Sequence, residues 1–196
     1  MLPSLAFPVS SAWNVPDEAQ CVRLWDKYGM MPHIREHCRA VASVALDIVR
    51  RAEERGVLPE GRGLERPYVL AAGLLHDIAK TYTIRHGGSH AQLGAAWVRE
   101  ETGNPALAQA VLWHVSWPWP WPEGELSELA DPLRLPVIIA YADKRVRHTE
   151  FVSLDERFED LMERYGIDDE RKARITGYLI RAKAIEKAIF DRIGEL

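Results

Sequence analysis

Six residues of the types that ligate metal ions fall where the sequence pattern turns them inward. His37 precedes Val41 by four residues and Ala45 by eight, the spacing of one helix face. His76 and Asp77 end the most apolar segment of the chain, His90 shares a face with Leu93 and Trp97, and His114 continues the stripe of Leu107 and Val111. Asp143 lies four residues after Ile139 and three before Val146, again on an apolar side. Taken singly, an inward histidine reads first as a hydrogen-bonded core residue. Six such groups in one small bundle would each carry a desolvation cost, and a divalent cation supplies a partner for all of them at once. Neutral imidazoles and carboxylates suit iron, manganese, nickel or zinc, which makes metal-assisted hydrolysis the leading chemistry.

Helices must position these residues, because apolar positions recur at three- and four-residue intervals and almost nothing alternates with period two. The pattern predicts helices over 17–28, 33–55, 67–75, 89–101, 104–115 and 136–146. Two more follow, one opened by a capping box at Ser153 and Glu156 and running to Tyr165, and one over 168–193. Asn104 with Pro105 is a cap-and-first-turn signature. Pro118, Pro120 and Pro122 alternate with Trp117, Trp119 and Trp121, which excludes regular helix and predicts a stiff aromatic loop. The expectation is a single all-α domain of about seven helices with that loop.

The 196 residues suit one domain, and 47% hydrophobic with 28% charged residues is an ordinary globular balance. A formal net charge of -4 excludes bulk attraction to nucleic acid. Cys21 and Cys38 are too few for a disulfide framework or a thiolate cage and fit a reducing, cytoplasmic setting. Neither a secretory leader nor a run of about 18 apolar residues is visible, so no membrane association is expected.

The segments Ile34 to Ala42, Leu74 to Lys80 and Tyr141 to Lys144 resemble the three motifs of the HD-domain metal-dependent phosphohydrolases, in the order H, HD, D. The resemblance runs from about Pro32 to Arg147, which makes 32–147 the core, 1–31 an N-terminal helical extension and 148–196 helices that complete the same bundle. It implies His37, His76, Asp77 and Asp143 as ligands. Ser89 to Ala95 and Ala110 to His114 look like the two extra histidine sites of a subgroup that includes the HDIG-type phosphodiesterases. His90 and His114 would then complete a binuclear centre of two divalent transition-metal ions, with Asp77 bridging them. The HDIG tetrad itself reads His76, Asp77, Ile78, Ala79, so its fourth position departs.

Such a cation pair would acidify a water and polarise a phosphoryl oxygen, with no protein nucleophile needed. Lys80 resembles the family's phosphate-contacting lysine, and Lys144 and Arg147 add positive charge beside Asp143, either for substrate phosphate or for local acidic partners. Trp117 follows His114 closely enough to stack on a nucleobase, or equally to pack against the bundle. His33, four residues before His37, could in principle chelate with it but is expected to support the centre from behind or to lie on the surface, and His86 and His148 lack supporting periodicity and are expected in solvated loops. Three functions follow from this pattern. The first is hydrolysis of a phosphomonoester or phosphodiester of a small, nucleotide-like substrate. The second is di-iron oxygenase chemistry on the same ligands, and the third is a nucleotide-binding regulatory module without catalysis. The long last helix offers a face for a homodimer.

Overall fold

The computed structural model describes residues 9, 10, 12–115 and 132–196. The tryptophan and proline loop from Trp117 to Pro122 lies outside the described residues. The helices are α1 (Glu18–Lys27), α2 (Pro32–Glu54), α3 (Arg66–Leu75), α4 (Lys80–His86), α5 (His90–Thr102) and α6 (Pro105–Trp113). After the undescribed segment come α7 (Leu135–Lys144), a two-residue antiparallel pair β1 (Val146–Arg147) and β2 (Glu150–Phe151), α8 (Leu154–Tyr165) and α9 (Asp169–Ile193).

The helix starts are chemically specified. Asp17 and Gln20 form a reciprocal capping box on α1, Ser153 and Glu156 form another on α8, and the Asn104 side chain accepts from the amides of Ala106 and Leu107 ahead of Pro105. Among the described residues nine helices form, the eight segments expected and one more, so the total of about seven was too low. The unforeseen one is α4. Its sequence, Lys-Thr-Tyr-Thr-Ile-Arg-His, is rich in β-branched residues and buries only Thr81, so neither propensity nor an apolar stripe announces it. The small hairpin was equally hidden, since two residues per strand carry no periodicity.

α2 is the spine. It packs along α3 and α7, while α5 pairs with α6 and α8 with α9, and α9 closes back onto α7 and α2. Ile175, Ile185 and Ile189 of α9 and Trp25 of α1 enter one core cluster with Val41, Ala45 and Ile48 of α2. Two contacts fix the end of α3. The Trp25 indole Nε1 donates to the Leu74 carbonyl at 2.9 Å. At Gly73, a Cβ would lie 2.6 Å from the Ala42 Cα and 2.7 Å from its Cβ, so the backbones of α2 and α3 meet where only glycine fits. The C-terminal end of α7 is tied to α9 through Glu186, which accepts from both Tyr141 Oη and Arg145 Nη1 at 2.7 Å. No helix among the described residues is long and apolar enough to cross a membrane.

Gly73→Ala is expected to lower folding stability by about 1–3 kcal/mol through overpacking, read as a shifted urea midpoint; a variant as stable as the parent would show that α2 and α3 do not meet at this point.

Candidate metal centre

Two of the inward histidines occupy the same local position on different helices. His76 is the C-cap of α3 and His114 is the C-cap of α6. The last carbonyls of a helix have no intrahelical partner, and each ring folds back to use one. His76 Nδ1 donates to the Gly73 carbonyl at 2.8 Å and His114 Nδ1 to the Val111 carbonyl at 2.6 Å. His37, in the second turn of α2, donates from Nδ1 to the main-chain carbonyl of His148 at 2.8 Å. A carbonyl only accepts, so Nδ1 carries the proton in all three rings, and in a neutral ring the Nε2 lone pair is left facing inward.

Those lone pairs meet carboxylate oxygens. His37 Nε2 is 3.0 Å from Asp143 Oδ1, and His76 Nε2 is 3.6 Å from Asp77 Oδ2 and 3.7 Å from Asp143 Oδ1. His90 Nε2 and His114 Nε2 are 3.3 and 3.4 Å from Asp77 Oδ1, and 3.2 Å from each other. Lone pair against lone pair is repulsive unless a proton or a metal cation stands between. Burial pushes the His76 imidazole down to about 3 and that of His90 to about 4, despite the opposing pull of Asp77, so both rings are uncharged near neutrality, and His76, whose one proton is on Nδ1, has none to offer from Nε2. Burial also opposes ionisation of Asp77, but Lys80, with Nζ 2.6 Å from Oδ2, and the neighbouring His76 and His114 hold its carboxyl well below the usual range. Asp143 is likewise held low against burial, chiefly by Lys144 and then by His37. Both carboxylates are therefore ionised and both are buried, Asp77 at 0% exposure.

Among the described residues, His76 Nε2 and Asp77 Oδ1 have no hydrogen-bond partner. Two overlapping sets, His37 with His76 and Asp143, and His76 with Asp77 and His114, bring one ligating atom per residue within 4.8 Å of one another and could each hold an ion. His90 stands beside the second set, with its side chain 25% exposed. The donor chemistry, all imidazole nitrogen and carboxylate oxygen with no thiolate, fits a divalent transition metal.

All six sequence-predicted ligand positions thus come together. Lys80 opens α4; burial opposes its charge, but Asp77 and Asp143 raise its pKa. Lys144 contacts Asp143 and, at 3.3 Å, the His114 carbonyl. Arg147 is paired instead with Glu150 across the hairpin at 3.4 Å, and Trp117 lies outside the described residues. His33 and His86 are exposed. His148 is exposed as a side chain, yet its carbonyl orients His37, a role that no side-chain pattern signals. A cleft of about 710 Å³ opens onto Lys80, His90, His114 and Asp143, with α8 and α9 as its far wall. Residues of that wall, Arg157, Arg171 and Arg174, were not singled out from sequence, because charge on amphipathic helices looks like a solvated face.

A helical bundle that gathers histidines and aspartates from α2, α3, α5, α6 and α7 around buried, unpartnered ligand atoms defines a histidine–aspartate helical domain. The chain belongs to the HD-domain family, whose model matches residues 34–147. It is similar to a tRNA (cytidine(56)-2'-O)-methyltransferase of Thermoplasma volcanium, 26% identical over 178 residues that cover 84% of this chain and 47% of that protein. It is also similar to a Ribonuclease Y of a Sulfurovum species, 27% identical over 154 residues covering 70% of this chain and 30% of that protein. The chain therefore spans less than half the length of either relative. No solved structure matches.

The depressed histidines carry a pH dependence. Free in the unfolded chain, His76 and His90 take up protons below about 6.5, whereas folded they resist until about 3 and about 4. Stability of the metal-free protein is expected to fall as pH drops from about 6.5 toward 4, with nearly two protons taken up on unfolding; Asp77 and Asp143 add to the loss at lower pH. Urea midpoints at a series of pH values check this, and a flat profile over that window would contradict the neutral-ring assignment.

Proposed function

We propose that the chain is a metal-dependent phosphohydrolase that cleaves a phosphomonoester or phosphodiester of a small nucleotide. The observation that carries the reading is the pair of buried, unpartnered atoms His76 Nε2 and Asp77 Oδ1, facing further nitrogen and oxygen donors at 3.3–3.7 Å. His37, His76, Asp77 and Asp143 hold one part of the centre. His90 and His114 extend it toward the cleft, so that these six residues would hold two divalent ions (iron, manganese, nickel or zinc); Asp77 turns Oδ2 toward His76 and Oδ1 toward His90 and His114.

Bound divalent ions supply Lewis acidity to a phosphoryl oxygen and lower the pKa of a water at the same place. The protein's own residues do the positioning. The carbonyls of Gly73, Val111 and His148 fix three rings with Nε2 free, a second layer of contacts that keeps the ligands aimed before anything binds. Lys80 and Lys144, both on the cleft wall, place point charges where non-bridging phosphate oxygens arrive. Membership of the HD-domain family supports hydrolysis of a phosphate ester. That one relative is named a ribonuclease and the other a tRNA methyltransferase supports a nucleotide as the remainder of the substrate. The described residues of the 1–31 extension and residues 148–196 are proposed to fold as one body with the described residues of the 32–147 core.

Protein purified without added metal is expected to carry close to two metal ions per chain and to release phosphate or a nucleotide from a panel of phosphate esters. Asp77→Ala should lose both properties, by more than the roughly 10–100-fold that loss of an outer partner costs, whereas His33→Ala should change neither. Turnover retained in Asp77→Ala, or oxygen consumption without phosphate-ester cleavage, would overturn the reading. Chelation should lower the melting temperature of the parent and leave that of Asp77→Ala unmoved, measured by calorimetry.

A further inference from the structure

The far wall of the cleft has a chemistry of its own. The whole chain carries 29 acidic and 25 basic residues. Among the described residues that line this cleft, however, Lys80, Lys144, Arg157, Arg171 and Arg174 face a single carboxylate, that of Asp143. Lys80 and Lys144 already serve Asp77 and Asp143. The three arginines, on α8 and the first turns of α9, are not needed for that purpose.

Their own partners leave them in excess. Arg157 donates from Nη1 to Asp160 at 2.9 Å, but Arg164 donates to the same carboxylate at 3.0 Å, and the buried Nε of Arg157 has no partner among the described residues. Arg171 reaches only the capping carboxylate of Asp168, at 3.5 Å. Arg174, three residues further along α9 and exposed, makes no hydrogen bond or ion pair among the described residues. Two aromatic residues line the same cleft, Tyr165 at 56% exposure and Tyr178, whose ring has the Arg181 guanidinium over it at 5.1 Å. Guanidinium forks match phosphate oxygens two at a time, and aromatic faces accept a base without a particular hydrogen-bond code. A half-enclosed cleft concentrates such a field even in a protein of net negative charge.

We propose that this wall is a second phosphate subsite, in which Arg157, Arg171 and Arg174 hold a phosphate other than the one at the histidine–aspartate centre. The substrate is then a nucleotide with at least two phosphates, one for hydrolysis and one for grip, with a base against Tyr165 or Tyr178. The inference rests on the reading that a phosphate ester occupies the centre, but its test does not need the metals.

The full chain, stripped with a chelator, is titrated calorimetrically with AMP, ADP and the 5′-phosphorylated dinucleotide pApA. At least one two-phosphate probe is expected to bind about tenfold more tightly than AMP. ADP and pApA distinguish adjacent phosphates from phosphates separated by a nucleoside, and the tighter of the two identifies the form. In Arg171→Ala/Arg174→Ala the preference should collapse to within about twofold. Arg23→Ala/Arg192→Ala, which removes the same charge from exposed sites outside the cleft, should keep it. Equal affinity of the parent for all three probes, or the same loss in the control, overturns the subsite. If the preference is absent while Asp77→Ala still abolishes metal binding and hydrolysis, only the subsite fails. If the preference is present while Asp77→Ala stays active, the phosphohydrolase reading fails instead.

Discussion

Asp77 is an ionised carboxylate with no exposure to solvent, set at the end of a helix whose other residues are almost all apolar. An arrangement of this kind is tolerable only if positive charge surrounds it. Much of the fold can be understood as the means of meeting that demand, with Lys80 as the resident cation and neutral imidazoles placed where they would hold a metal cation. Lys80 follows within one turn because the chain breaks after α3 and restarts as α4. The imidazoles of His90 and His114 arrive from α5 and α6, which pack against each other. Asp143 approaches the same Nε2 of His76, with Lys144 as its own counter-charge. The close approach of Gly73 to Ala42 and the indole tie from Trp25 to Leu74 hold the end of α3 at the depth where these groups meet.

The helical class and the inward direction of the six candidate ligands were legible because a ligand on an apolar helix face breaks the expected pattern of hydrophobicity. Asn104 and Ser153 were legible because caps have a fixed local chemistry. α4 was not, since its stability comes from its neighbours rather than from its own residues. The carbonyl of His148 was invisible for a deeper reason: it acts through the main chain, and nothing in a side-chain pattern marks a carbonyl. Arg157, Arg171 and Arg174 looked like ordinary solvent-facing charge, and only the packing of α8 and α9 back toward α7 gives them a common cavity with His90 and His114. The C-cap histidines lie between these extremes. A histidine directly after an apolar helix can satisfy the helix's own carbonyls with one nitrogen and present the other elsewhere, which could have been inferred for His76 and His114 from position alone.

That double use of one ring joins the ends of α3 and α6 to the centre. The last turn of each helix is closed by the same imidazole that offers its Nε2 inward, so helix termini and ligand geometry are one structural unit. The tie from Tyr141 and Arg145 to Glu186 does something similar at the other side, linking the helix that carries Asp143 to α9 and hence to the arginine wall. The helix that carries Asp143 and the helix that carries Arg171 and Arg174 are thus joined by a polar tie near the middle of α9.

His148 adopts a left-handed backbone conformation, with φ of 57°, at the turn between the two short strands. It is the sole non-glycine with positive φ among the described residues, and its carbonyl receives the proton of His37. What the centre requires at this position is a shape rather than a functional group. Asparagine, aspartate or glycine, which accept that conformation readily, would preserve the acceptor, while a β-branched residue would disturb His37 without touching any ligand. In related chains the identity at this turn can accordingly drift among residues that look chemically unrelated, united only by the dihedral angle they tolerate.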